Sequence, residues 1–155
     1  MEIERKYLLH SIPFNLSPYP KTELTQAYIS TNPTIRIRKA VSANKTSYIL
    51  TVKSSGMLAR EEFELPLTPE QYQNLLLKIE TEYIVKFRYE VPIEGGLIAE
   101  LDVYQNALLG LVTVEVEFPN LDAAQAFTPP AWFGRDVTFN PAYKNSNLIR
   151  RGLPI

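Results

Sequence analysis

Charged residues in this chain recur two positions apart, on one segment after another, with apolar residues between them. Glu2, Glu4 and Lys6 alternate with Ile3 and Arg5. A β-strand turns every second side chain to the same face, so this segment reads as a strand with an ionic face. The pattern returns at Arg36 and Arg38, and at Lys53, which shares a face with Ile49 and Thr51. It returns again at Arg60, Glu62 and Glu64, at Lys86, Arg88 and Glu90, at Glu100 and Asp102, and at Glu115 and Glu117. For any single segment, a solvated outer face accounts for the spacing. The whole series is richer in Arg and Glu than ordinary outer faces, where Lys, Thr, Ser and Gln dominate. Arg and Glu suit bidentate phosphate contacts and the ligation of hard cations. Two carboxylates side by side repel unless a cation lies between them. A divalent metal is the obvious cation, and a phosphate-bearing substrate follows the metal.

The spacing predicts strands over 2–9, 22–30, 34–40, 46–53, 59–66, 81–91, 97–104 and 111–118. Turn chemistry falls between them at Asn32-Pro33, Ser42-Ala43-Asn44, Ser54-Ser55-Gly56 and Glu94-Gly95-Gly96. One helix interrupts the series. Thr68-Pro69-Glu70-Gln71 reads as an N-cap, a proline at the first helical position and a capping-box glutamine. Tyr72, Leu75, Leu76 and Ile79 follow as an apolar stripe. A short helix is expected after Asn120, ending by Pro129-Pro130. A last helix is expected from Asn140-Pro141 to Gly152. Trp132 and Phe133 read as a packing plug.

Eight mostly antiparallel strands are what a closed barrel needs to hold one small ligand. The expected class is therefore α+β, mainly β: an eight-stranded antiparallel barrel with a charged interior and a few covering helices. The alternate faces point outward and need cover from those helices or from a second subunit, so a homodimer is one expectation. The proposed inner set holds nine acids and seven bases, two negative charges in excess. Divalent cations and an anionic substrate would bring such a cavity near neutrality, which buried charge requires.

Composition narrows the classes. A chain of 155 residues, 45% hydrophobic and 21% charged, suits a single soluble domain over 1–155. A net charge of -1 argues against a broad basic surface for nucleic acid or membrane. Without cysteine there is no disulfide framework and no thiolate metal site. The one histidine, His10, has no partner nearby in sequence and reads as a surface residue. No apolar run approaches the length of a membrane span. The first strand begins by residue 2, which leaves no room for a signal peptide, and a cytoplasmic location is expected.

Taken in order, these segments resemble the CYTH superfamily, the triphosphate tunnel metalloenzymes. Glu2-x-Glu4-x-Lys6 resembles its N-terminal signature. Gln26-Ala27-Tyr28-Ile29, Arg36-Ile37-Arg38, Thr51-Val52-Lys53 and Arg60-Glu61-Glu62-Phe63-Glu64 are similar to its successive strands. So are Lys86-Phe87-Arg88-Tyr89, Glu100-Leu101-Asp102-Val103-Tyr104 and Glu115-Val116-Glu117-Phe118. Pro130-Ala131-Trp132-Phe133-Gly134 and Tyr143-Lys144-Asn145 resemble its C-terminal region. The likeness runs from Glu2 to about Leu148, and is greatest to short bacterial members that act on inorganic triphosphate. Departures are Ala27 for the usual glycine, Tyr104 for phenylalanine, and a shortened loop at Asn106–Gly110.

The resemblance implies a charged tunnel, Mg²⁺ or Mn²⁺, and hydrolysis of a triphosphate. It implies Glu2, Glu4 and Glu117 as the main metal ligands. Glu62, Glu64, Asp102 and Glu115 complete the metal shell or act as buried ion-pair partners. Lys6, Arg36, Arg38, Lys53, Lys86 and Arg88 hold phosphates. Arg60 contacts substrate or only pairs with a glutamate. Lys6 with Tyr28 forms a proton-handling pair, or Tyr28 is tunnel wall. Lys144 reaches the tunnel mouth or stays on the surface. The same fold hosts thiamine triphosphatases, class IV-type adenylate cyclases and RNA triphosphatases, and fold alone does not choose among them. A non-catalytic polyphosphate-binding module is the alternative from another class; it would require a missing ligand position, and none is missing.

Overall fold

The structure is a computed structural model that describes residues 1–154. Nine strands form one sheet: β1 (Glu2–Leu8), β2 (Lys21–Thr31), β3 (Thr34–Ser42), β4 (Lys45–Lys53), β5 (Ala59–Arg60), β6 (Glu62–Pro66), β7 (Ile84–Ile93), β8 (Leu97–Tyr104) and β9 (Val112–Glu117). Their order is β5-β1-β9-β8-β7-β2-β3-β4-β6, and every pairing is antiparallel.

The two ends of that order are neighbours in sequence, with only Glu61 between them. The strand expected over 59–66 is thus two strands. Its first two residues pair with β1, and the remainder pairs with β4. At Glu61 the backbone leaves the ladder: its N–H donates to Ser54 Oγ at 2.8 Å, and its carbonyl accepts from Ser54 N–H at 3.0 Å. One kinked segment therefore bridges both sheet edges and nearly closes the barrel, protecting edges that would otherwise be open. The turn leading into β5 needs a glycine. Gly56 has a φ of +146, and a Cβ there would lie 2.3 Å from the Ala59 carbonyl oxygen.

Three helices pack around the sheet: α1 (Pro69–Leu76), α2 (Leu121–Ala126) and α3 (Asn145–Arg151). The α1 start follows its sequence. Thr68 accepts from Gln71 N–H, and the Gln71 side chain accepts from Thr68 N–H. The helix stops at Leu76, so Ile79 falls beyond it, and β7 begins three residues later than expected. Thr81 instead takes the Tyr28 N–H at 3.0 Å. The last helix is also interrupted. A 3-10 turn at Pro141–Tyr143 is followed by Lys144 in extended geometry, and only then by α3.

Apolar packing lies outside the barrel on one side and at one end. Ile3, Tyr7, Leu101, Val114 and Val116 are buried on the outer faces of β1, β8 and β9, beneath α2 and the aromatic segment of Phe127, Trp132 and Phe133. Phe133 meets Tyr7 at 4.9 Å between ring centroids, and Trp132 meets Phe14 at 5.1 Å. A second cluster, with Tyr28, Tyr104, Tyr143 and Leu148, stoppers one end of the barrel with the C-terminal segment. The side chains Phe63 and Leu65 on β6 remain exposed. No helix is long and apolar enough to cross a membrane, among the described residues.

Candidate active site

Strand registers bring the alternate charged residues together inside the barrel. Glu2 faces Arg60, Lys6 faces Glu115, Arg88 faces Asp102, and Lys53 faces Glu62 across their ladders. They surround a cavity of about 110 Å³. Its walls carry Lys6, Arg36, Arg38, Lys53, Arg60, Lys86, Arg88 and Lys144 against Glu2, Glu4, Glu62 and Glu115. Eight basic groups against four acidic ones leave a formal excess of four positive charges. This corrects the expected excess of two negative charges, because Glu64, Glu90, Glu100, Asp102 and Glu117 do not line the cavity and Lys144 does.

On the β7–β8 wall the charges are closed into short pairs. Asp102, wholly buried, accepts from Lys86 Nζ at 2.8 Å and from Arg88 Nε and Nη2 at 2.8 and 2.9 Å. Arg88 Nη1 also reaches Glu100 at 3.2 Å. Burial pushes the Asp102 carboxyl up, but Arg88 and Lys86 outweigh it and hold the group below its usual range. Burial drives Lys86 down to about 8, against the pull of Asp102.

The wall formed by β1, β4, β5 and β6 is looser. Lys53 Nζ stands 3.6 Å from Glu2 and 3.6 Å from Glu62, and Arg60 lies 3.5 Å from Glu4. Among the described residues, Glu2 Oε1 and Glu62 Oε2 are buried without a hydrogen-bond partner. Burial, and then the charges of Glu115 and Glu2, push Glu4 up to about 8. Glu2 is raised as well, by burial and by Glu62. Burial also opposes ionisation of Glu115, but Lys6, Arg88 and Lys86 hold that carboxyl far down. Glu4 therefore carries the proton that crowded carboxylates must share.

Orphaned carboxylate oxygens and a proton held for want of a cation are what a divalent metal would relieve, and oxygen donors suit a hard cation. The residues fit such an ion. Among the described residues, no three acidic groups already surround one coordination point, so this is a set of donors rather than a formed cage.

Arginines and a tyrosine complete the interior. Arg36 Nη2 donates to Thr51 Oγ1 at 3.1 Å, while its buried Nε has no hydrogen-bond partner among the described residues. Burial, with Arg36 and Arg88 nearby, lowers Arg38 to about 9, so it stays protonated near neutrality. Tyr28 is buried, accepts from Gln26 Nε2 at 3.4 Å, and is held above the usual phenol range by that burial. Lys6 Nζ donates to the Tyr143 carbonyl at 2.6 Å and stands 3.7 Å from Glu115.

Of the residues singled out from sequence, Lys6, Tyr28, Arg36, Arg38, Lys53, Lys86, Arg88, Glu2, Glu4, Glu62 and Glu115 line one cavity, with Arg60 and Lys144. Asp102 lies behind it, bound to two cations. Glu64 is exposed, paired across the ladder with Thr51. Glu117 is exposed at the rim, close enough to Glu2 and Glu62 for their charges to raise its carboxyl after burial does. Charge patterning missed the neutral lining from the C-terminal segment: Thr138, Asn140, Asn145 and Ser146. Only the Tyr143-Lys144-Asn145 resemblance pointed toward that segment.

No family model matches the chain. Individual relatives do. An inorganic triphosphatase of Nitrosomonas europaea is 41% identical over 148 residues, 95% of each chain. An inorganic triphosphatase of Acetivibrio thermocellus is 32% identical over 150 residues, covering 96% of this chain and 93% of that protein. The solved structure of the inorganic triphosphatase NE1496 superposes with a TM-score of 0.66 at 35% identity, covering 96% of this chain and 94% of the other. The Hippeastrum protein HpAC1, at 19% identity and a TM-score of 0.53 over 81% of this chain and 83% of that one, shares the fold alone. The chain belongs to the CYTH superfamily, in the same family as these inorganic triphosphatases.

Proposed function

We propose that this protein hydrolyses inorganic triphosphate to pyrophosphate and phosphate inside its barrel, with Mg²⁺ or Mn²⁺ as cofactor. The observation that carries the reading is the cavity: about 110 Å³ with four positive charges in excess. Sites for drug-sized ligands run to roughly 300–1,000 Å³. The cavity therefore favours a compact polyanion over a nucleotide. The names of the bacterial relatives support the same substrate.

In this reading Glu2, Glu4 and Glu62 hold the divalent cation, with Glu117 beside them at the rim. Bound there, a divalent cation would supply neutralisation of phosphate charge and a better water nucleophile. Arg36 and Arg38 grip non-bridging oxygens with planar forks, while Lys6, Lys53 and Lys86 act as point charges. Arg88 is tied to Asp102 and Glu100 and presents the remainder of its guanidinium. These cations also stabilise charge gathering on the leaving pyrophosphate. Tyr28 keeps its proton and donates to an oxygen from beside Arg36 and Arg38. Asp102 and Glu115 serve as anchors for cations; Glu64 takes no part. The reading assigns all of this to one domain in the cytoplasm.

The test is kcat/KM for triphosphate, thiamine triphosphate and ATP, with each metal in turn. Triphosphate should be the best substrate. A preference for ATP, or conversion of ATP to cyclic AMP and pyrophosphate, would reject the reading.

A further inference from the structure

Tyr104 ends β8 inside the barrel with no exposed surface. Its ring lies under Lys86, with Nζ 5.2 Å from the centroid. A phenol in that position needs a partner for its proton. It has one: the hydroxyl donates to Asn145 Oδ1 at 2.6 Å, across 41 residues of chain. Burial, with Asp102 and Glu115 nearby, keeps the phenol protonated far beyond neutrality, so it remains a donor.

An amide has an acceptor end and a donor end. Tyr104 takes the acceptor end of Asn145. The NH₂ end belongs to a side chain that lines the same cavity as Lys6, Arg36, Arg38 and Lys86. We propose that Asn145 is a substrate-contacting residue that donates to a phosphate oxygen, and that Tyr104 is the positioning residue that turns its amide toward the cavity. The inference rests on the triphosphate reading and deepens it. The cations set the charge of the site, and one neutral donor with a fixed direction sets how far the polyanion seats against the C-terminal stopper. The interruption at Lys144 serves this arrangement, because the chain stays extended there and α3 begins at Asn145 itself.

The experiment titrates inorganic triphosphate in EDTA into the parent, Asn145→Ala, Asn145→Asp, Tyr104→Phe and the Tyr104→Phe/Asn145→Ala double variant. The kcat, KM and Tm of each are measured alongside. Asn145→Ala should weaken triphosphate binding about tenfold, the scale of one hydrogen bond to a charged group. Asn145→Asp keeps the acceptor for Tyr104 and loses the donor, so it should weaken binding at least as much with Tm unchanged. Tyr104→Phe leaves the ring under Lys86. It should raise KM in the parent and have no further effect once Asn145 is alanine. Parent-like binding by both Asn145 variants overturns the proposal. So does a Tyr104→Phe penalty of equal size with and without Asn145. A folded parent that neither binds triphosphate in EDTA nor hydrolyses it with Mg²⁺ or Mn²⁺ would instead reject the functional reading, and this inference with it.

Discussion

The two walls of the tunnel carry the same kinds of residue and treat them differently. On β7 and β8, Lys86, Arg88 and Asp102 are bound at 2.8 to 2.9 Å. On β1, β4 and β6, Lys53 stands 3.6 Å from both Glu2 and Glu62, and those two carboxylate oxygens have no hydrogen-bond partner among the described residues. A buried charge is tolerated when its bonds are complete and is costly when they are not. The first wall is complete in itself. The second is complete only with something added. The comparison separates a carboxylate that holds the tunnel's cations in place, Asp102, from carboxylates that await a ligand, Glu2 and Glu62, although both follow the same two-residue spacing.

The largest expected effect breaks the complete wall. Asp102→Asn removes the charge that pairs Lys86 with Arg88 and leaves both cations buried. Loss of one partner from a buried pair costs about 3–5 kcal/mol. Denaturant unfolding should show a loss of that order in the ligand-free protein. A variant as stable as the parent would mean that the two walls do not differ.

Glu62→Gln sharpens the comparison from the other side. It removes a carboxylate whose buried Oε2 makes no hydrogen bond and only a 3.6 Å ion pair with Lys53, so stability should change little. Metal-dependent hydrolysis of triphosphate should fall by on the order of a hundredfold, at least the loss seen when groups supporting a metal ligand are removed. The measurement is kcat/KM over a range of Mg²⁺ concentration, beside the unfolding curve. Parent-like activity at limiting Mg²⁺ would remove Glu62 from the donor set.

Much of this was legible because a strand has period two. Inward parity at Glu2, Glu4, Lys6, Arg36, Arg38, Lys86 and Arg88 follows from spacing alone, and so does the barrel that must enclose them. Parity could not tell Asp102 from Glu62. Both face the same way, and only three-dimensional neighbours decide which is neutralised. Nor could it place Glu64 and Glu117, whose depth along the tunnel depends on strand length and register. The break at Glu61 was hidden because an alternating run looks the same whether it pairs with one strand or changes partner midway. Asn145 carries no charge and stands in no alternating series, so only the family resemblance of Tyr143-Lys144-Asn145, and no charge pattern, points to its segment.

The smallest expected effect is a pH slope, and on the open wall it comes from Glu4. Burial, Glu115 and Glu2 raise Glu4 from 4.5 to about 8 in the folded protein. Between those values the folded chain keeps a proton that the unfolded chain has released. The unfolded state then binds fewer protons, so stability falls as pH rises. The contribution is full below 4.5 and lost as pH passes about 8. Its slope cannot exceed about 1.4 kcal/mol per pH unit for one proton, and solvent at the tunnel mouth lowers it further. Other groups titrate in the same window, so the useful quantity is a difference. In EDTA, the parent should lose more stability between pH 5 and pH 8 than Glu4→Gln, whose amide has no proton to give up. Titrating Mg²⁺ into the parent at neutral pH should release protons, and into Glu4→Gln fewer. Parallel stability profiles for the two proteins would show that Glu4 is already ionised, and that the open wall is balanced without a cation after all.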